Sequence, residues 1–246
     1  MRLAAAAVVA LALLASGCDG SESKSPETQS VAVYFLRDGK LSPVRRMVDT
    51  SPTPGRTALA SLFEGPTSAE RADGLETAIP GGTTLDGVTL TDGVATVDLR
   101  GDLPASRDQS LLETAQIVAT LTRFATVHAV RLDTGSTWTR HEIERQTPQI
   151  LVESPLPGDR VTRPIRVRGT ANVFEATVSF EVRDANGKVL LRSFTTATSG
   201  TGTRGTFDTE LAVPSVAGPV TIVAFEASAE DGSRLHVTTV PVTVVP

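Results

Sequence analysis

Four dipeptides, Asp38-Gly39, Asp92-Gly93, Asn186-Gly187 and Asp231-Gly232, each stand between two short runs rich in β-branched and apolar residues. Asp, Asn and Gly accept the positive φ of a tight turn, so each dipeptide predicts a pair of antiparallel strands. A chain punctuated in this way folds largely as hairpins. The flanking runs are 31–36 and 41–48 at the first turn and 88–90 and 94–99 at the second.

Helical signals fall between and after these hairpins. Thr53-Pro54 has the form of an N-cap followed by proline in the first turn, Ala58, Leu59, Leu62 and Phe63 make one apolar face, and Gly65-Pro66 stops the run. Thr67-Ser68-Ala69-Glu70 has capping-box spacing and predicts a further short turn of helix. Leu111, Ala115, Val118 and Leu121 recur at spacings of four and three, widened by Leu112 and Ala119, which predicts a longer amphipathic helix. A last strand is expected over 127–132. With helix stripes available to cover one sheet face, this half of the chain reads as a two-layer α+β module with a mixed sheet.

Periodicity then fails over 133–148, a polar stretch that reads as a domain boundary with a protease-sensitive linker. Trp138, its one large aromatic, is expected to close the edge of a neighbouring core. Beyond it, β-rich runs return at 150–153, 165–167, 176–182, 189–194, 206–213, 220–227 and 235–244. About seven short strands in roughly 100 residues is the pattern of an immunoglobulin-like sandwich.

The start of the chain carries a different message. Arg2 precedes an unbroken apolar run from Leu3 to Leu14, and Ala15, Ser16 and Gly17 are small, the layout of an export signal too short to span a bilayer. Cys18, the only cysteine, closes it and resembles the acylated position of a bacterial lipobox. Residues 1–17 are then a removable lipoprotein signal and 18–30, without a large apolar residue until Val31, a flexible tether. Two acyl chains hold stably where one is marginal, at about 0.8 kcal/mol per buried methylene. No other thiol is left for disulfides, so both cores stand on packing. The formal net charge of -5 argues against a nucleic-acid partner.

Candidate chemistry is sparse. Gly200, Gly202 and Gly205 have the spacing of a dinucleotide loop, but the following residues alternate like a strand rather than open a helix, so they are read as an inter-strand loop. His128, His141 and His236 are scattered, without metal-ligand spacing. Asp98, Arg100 and Asp102 alternate and read as solvated charges on an exposed strand face. No catalytic, cofactor or metal residues are assigned from sequence, and no cofactor is expected.

Several separated stretches, LFEGPTSAERADGLETAIPGGTTL, VTLTDGVATVDL and AQIVATLTRFATVHAVRL, resemble in order the GerMN domain of sporulation and spore germination. The later segments, from SPLPGDRVTRPIRVRGTANVFEATVSFEV to DGSRLHVTTVPVTV, resemble the immunoglobulin-like domain of bacterial spore germination, a frequent companion of GerMN. The first resemblance implies a non-catalytic, membrane-associated α/β module of the bacterial envelope, found also in lipoproteins that work beside sensor kinases. The expected division is a GerMN-like domain over 31–135, a linker over 136–148 and the sandwich over 149–246. The expected role is an extracytoplasmic, lipid-anchored binding or assembly factor in sporulation, germination or envelope signalling that contacts envelope proteins. A peptidoglycan-acting enzyme subunit in contact with that polymer, or a carrier of small ligands, is the alternative. Cys18→Ser should take up no labelled fatty acid and leave the protein soluble or as an uncleaved precursor, which metabolic palmitate labelling and membrane fractionation will read directly.

Overall fold

The structure, a computed structural model, describes residues 27–50, 53–101, 106–132 and 135–246. Cys18, the signal segment 1–17 and Asp102 lie outside the described residues. The chain is multidomain: an α+β module is followed by an all-β sandwich.

The first module opens with β1 (Thr28–Arg37) and β2 (Lys40–Asp49), an antiparallel hairpin in which Asp38 and Gly39 both take positive φ, as their types predict. The expected tether to residue 30 is therefore too long: Thr28, Gln29 and Ser30 already pair with Asp49, Val48 and Met47. Cross-strand pairing needs no apolar residue at those positions, so composition alone missed the strand start. Helix α1 (Pro54–Phe63) begins at its proline and ends before Gly65, whose φ of +77° turns the chain away. In α2 (Ser68–Ala72) the capping box forms: Thr67 Oγ1 accepts from the Glu70 amide at 3.3 Å and Glu70 Oε2 accepts from the Thr67 amide at 2.7 Å. The hairpin of β3 (Thr84–Thr91) and β4 (Val94–Arg100) turns on Asp92-Gly93, both at positive φ. Helix α3 (Arg107–Leu121), N-capped by Ser106, then crosses over to β5 (Ala129–Leu132), which lies parallel to β4. Trp138, in β6 (Thr137–Trp138), pairs antiparallel with Val130 and packs half-buried against the module's core.

Helix α3 departs from the amphipathic expectation. Every residue from Glu113 to Leu121 is buried, polar ones included, because the helix touches α1, the β1–β2 hairpin and β5 at once. The polar residues have a task. Gln116 donates through Nε2 to the Tyr34 carbonyl (3.0 Å) and accepts through Oε1 from the Ala78 amide (2.8 Å), while Thr120 Oγ1 accepts from the Tyr34 amide (3.1 Å). Helix side chains thus replace a neighbouring strand along the outer edge of β1, whose backbone groups would otherwise be buried unpaired.

The sandwich packs a sheet of order β11-β10-β13-β14-β8 on one of order β12-β9-β7. Its strands are β7 (Ile150–Ser154), β8 (Arg160–Val161), β9 (Ile165–Ala171), β10 (Thr177–Asp184), β11 (Val189–Thr196), β12 (Gly205–Leu211), β13 (Gly218–Ala227) and β14 (Arg234–Val244). Between the sheets Phe180 meets Phe207 edge to face at 5.9 Å, and a Cβ at Gly169 would stand 2.6 Å from the Phe207 ring. The Asn186-Gly187 and Asp231-Gly232 turns do connect strands, but only their glycines take positive φ. Asp184 Oδ1 holds the first turn by accepting from the amides of Asn186 and Lys188, and the second closes by a bond from the Gly232 amide to the Ser228 carbonyl.

Glu113 is 7 % exposed on α3, and burial pushes its carboxyl up to about 7 from an ordinary 4.5. The unfolded chain ionises Glu113 first as pH rises, so between about 4.5 and 7 the folded state binds more protons and stability falls with pH, levelling above 7. Glu113→Gln should therefore stabilise the protein at pH 8, by up to about 3 kcal/mol, and change little at pH 4. Denaturant melts at the two pH values will show it.

Candidate interaction site at the domain junction

The segment 136–148, expected as a protease-sensitive linker, is folded onto both domains. Its polar composition suggested solvent, but Arg140 and Glu144 are turned to fixed partners outside the segment. Ile143 is buried and shares the first module's core with Leu151 of β7. Arg140 reaches back: its Nε donates to Thr122 Oγ1 (2.6 Å), its Nη2 to the Ala119 carbonyl (3.1 Å) and its Nη1 to Glu153 Oε1 (3.1 Å). A cation at the carbonyl end of α3 also suits the helix dipole.

Glu153, on β7 of the sandwich, collects donors from the first module. The hydroxyl of Tyr34 on β1 donates to its Oε1 at 2.9 Å and Arg123 to its Oε2 at 3.2 Å. The Arg140 guanidinium lies 5.3 Å from the centre of the Tyr34 ring. Burial, and then the charge of Glu153, hold the Tyr34 hydroxyl well above the ordinary phenol range, so it remains a donor.

A second set of contacts clamps the segment to the sandwich. Arg204 donates through Nε (2.7 Å) and Nη2 (3.0 Å) to the Glu144 carboxylate, through Nη2 to the Pro148 carbonyl (2.8 Å) and through Nη1 to Thr170 Oγ1 (3.1 Å). Burial works against the Glu144 charge, yet the hydrogen bonds from Arg204 and Asn172 leave its carboxyl below the usual range. Farther along, Arg45 of β2 forks onto Asp159 at 2.7 and 2.6 Å, and Lys40 Nζ donates to the Arg145 carbonyl at 2.6 Å.

Beside these contacts runs a groove of about 740 Å³, walled by residues 40–45 of β2 and 237–241 of β14 and floored by Pro148, Leu151 and Val152. It continues into a second hollow of about 560 Å³, with Lys40, Pro148, Val237 and Thr238 common to both. Val237 is half exposed along this wall.

The residues singled out in the sequence are not brought together. His128 packs over Gly93, His141 is exposed beside Thr139 and Glu142, and His236 lines the second hollow with Nε2 3.6 Å from Glu226. Asp98 stands exposed beside Gly87, and Arg100 pairs with Asp86 at 2.6 Å. Among the described residues no group of three His, Cys, Asp or Glu could hold a metal ion. The glycine loop serves packing, because Gly200 and Gly205 lie too close to neighbouring backbone to carry a Cβ, and it delivers Arg204 to Glu144. Tyr34, Arg140, Glu153 and Arg204 carried no sequence signal beyond Tyr34 being the only tyrosine.

Residues 32–135 match the family described as sporulation and spore germination, and residues 149–233 match the immunoglobulin-like domain of bacterial spore germination. The two matches lie in that order along the chain, one on the α+β module and one on the sandwich. No curated protein matches the chain. Among solved structures it is similar to a Clostridium perfringens protein described as a candidate lipoprotein (17% identity, 49% of this chain and 93% of that one, TM-score 0.34). It is also similar to the tandem GerMN domains of the sporulation protein GerM from Bacillus subtilis (21%, 47% and 46%, 0.37) and to CopC from Methylosinus trichosporium OB3b (17%, 39% and 92%, 0.28). The chain spans less than half of the GerM structure, and at these scores no role passes from any of the three.

Glu153→Ala would leave the buried Tyr34 hydroxyl without its acceptor and two arginines without their carboxylate. It should cost the first module and the sandwich their common unfolding transition, with a loss of about 1–3 kcal/mol at the junction. Calorimetry should show one transition in the parent and two in the variant, and limited proteolysis should cut 136–148 only in the variant.

Proposed function

We propose that this protein is a lipid-anchored, extracytoplasmic assembly factor that works in sporulation, germination or envelope signalling by holding a protein partner. Its two domains come from families of sporulation and germination. The observation that carries the reading is the groove at the junction, to which both domains contribute a wall and which the Glu153, Arg140 and Arg204 contacts brace. A recognition surface composed from two domains needs such bracing, because a partner that must first order the domains loses part of its binding energy to that ordering.

The anchor supports the same reading. An acylated Cys18 would confine the protein to a membrane surface, and a partner on that surface would meet it at raised effective concentration without any added contact. No helix among the described residues is long and apolar enough to cross a membrane.

A photo-crosslinker at Val237, in intact cells, should capture one protein reproducibly, whereas the same group at exposed Leu90 on β3 should not. Capture should vanish when either domain is removed and fall when Cys18 is changed to Ser. His128→Ala and Asp98→Ala should leave cellular function intact. A loss of about a hundredfold from either, with the fold unchanged, would instead identify chemistry and overturn the assembly reading.

A further inference from the structure

A glutamate lies almost fully covered on the outer face of the sandwich's larger sheet. Along β10, Val178, Phe180 and Val182 point into the core, so Ser179, Glu181 and Arg183 belong to the opposite face. Glu181 is nevertheless only 2 % exposed, because three arginines close over it. Arg183 donates to Oε2 through Nε (3.0 Å) and Nη2 (2.7 Å), Arg192 on β11 to Oε1 at 3.2 Å, and Arg234 on β14 to Oε1 at 2.7 Å. Burial opposes the glutamate charge, but the hydrogen bonds from Arg183 and Arg234 hold its carboxyl below the usual range.

One carboxylate cannot use what three guanidiniums offer. Each presents five N–H donors, and Glu181 engages one or two of each. The cluster keeps a local excess of positive charge on a chain whose formal net charge is -5. Arg192, with 72 % of its side chain exposed, carries that excess outward, and the Arg234 guanidinium carbon lies over the Phe225 ring, 5.1 Å from its centre. Glu226, the next carboxylate on β13, is turned to His236 and to the Phe174 amide.

Beside the cluster lies an apolar trough. Ser179 pairs with Phe194 of β11 on one side and with Phe225 of β13 on the other, so a small side chain separates two phenyl rings. The hollow here measures about 530 Å³, and Phe194 is 70 % exposed. Strand β11 is also the terminal strand of its sheet. Over Val189–Thr196 it has no proline or lysine to discourage pairing, and its one charged residue, Arg192, is already turned to Glu181.

We propose that this edge and face form a docking site for an extended acidic segment of a partner protein, which adds to β11 as a further strand. Side chains of an added strand alternate between faces, so an acidic residue opposite Arg192 and an apolar one two positions away, against Phe194, reach the same face. A lipid headgroup or free phosphate could satisfy the guanidiniums, but only a polypeptide backbone also satisfies the strand edge. This site deepens the assembly reading and rests on it.

The test uses the full mature chain and a ten-residue peptide alternating glutamate with threonine, one glutamate replaced by valine. Fluorescence anisotropy should show saturable binding that weakens with salt. Hydrogen exchange should slow at the amides of 189–196. Arg192→Glu should weaken binding at least tenfold, Phe194→Ser several-fold, and a lysine version of the peptide should not bind. Absence of binding, equal binding by both variants, or binding to phosphatidylglycerol vesicles without protection of β11 by the peptide would each overturn the proposal. If the peptide fails while the Val237 crosslink persists, the docking site falls and the assembly reading stands; peptide binding with no crosslink keeps the docking site and removes the junction groove as the partner's seat.

Discussion

The carboxylate of Glu153 is the point at which two separately folded cores become one object. It belongs to the sandwich by sequence, yet its donors, Tyr34, Arg123 and Arg140, come from the first module and from the segment that leaves it. A largely buried carboxylate is expensive to desolvate, and such a group is tolerated only where hydrogen bonds occupy its oxygens. That requirement favours one arrangement over many. An apolar junction could slide by an ångström at little cost, whereas the hydroxyl and guanidinium donors lose their bonds if β7 shifts relative to β1.

The same logic operates inside the first module. Gln116 and Thr120 are costly residues to bury on a helix, but they complete the hydrogen bonding of β1 and so fix both the rotation and the height of α3. Tyr34 links the two systems, since its backbone is held by α3 and its hydroxyl by Glu153. Through one residue of β1 the helix position and the domain junction are coupled. Glu113 stands apart from this network, with burial as the cause of its raised carboxyl.

Features whose cause is local were legible in the sequence. The turns at Asp38-Gly39 and Asp92-Gly93, the Thr67 to Glu70 capping box and the strand runs of the sandwich depend on residues within a few positions of one another, and each forms. The family resemblance, too, rested on such local stretches. What escaped depends on distant partners: Tyr34 and Glu153 are separated by 119 residues, Arg204 and Glu144 by 60. The 133–148 segment looked like solvent-exposed linker because its anchors are charged. Polar composition cannot distinguish a side chain facing water from one facing an opposite charge, and here Arg140 and Glu144 face charge. The all-round burial of α3 was hidden for a related reason, as its buried threonine and glutamine interrupt the apolar stripe.

The glycine loop shows how structural economy can imitate a ligand motif. Close approach of backbones at Gly200 and Gly205 lets the loop fold tightly against the start of β10, and the tight fold is what brings Arg204 to Glu144 and Pro148. The arginine then holds the segment between the domains from the sandwich side, while Arg140 holds it from the other. With both ends of the connection pinned, the junction groove and the arginine-covered face of β10 keep a constant spacing. A partner that touches both surfaces gains from that constancy, because its second contact forms within an already assembled complex and no domain motion has to be suppressed first.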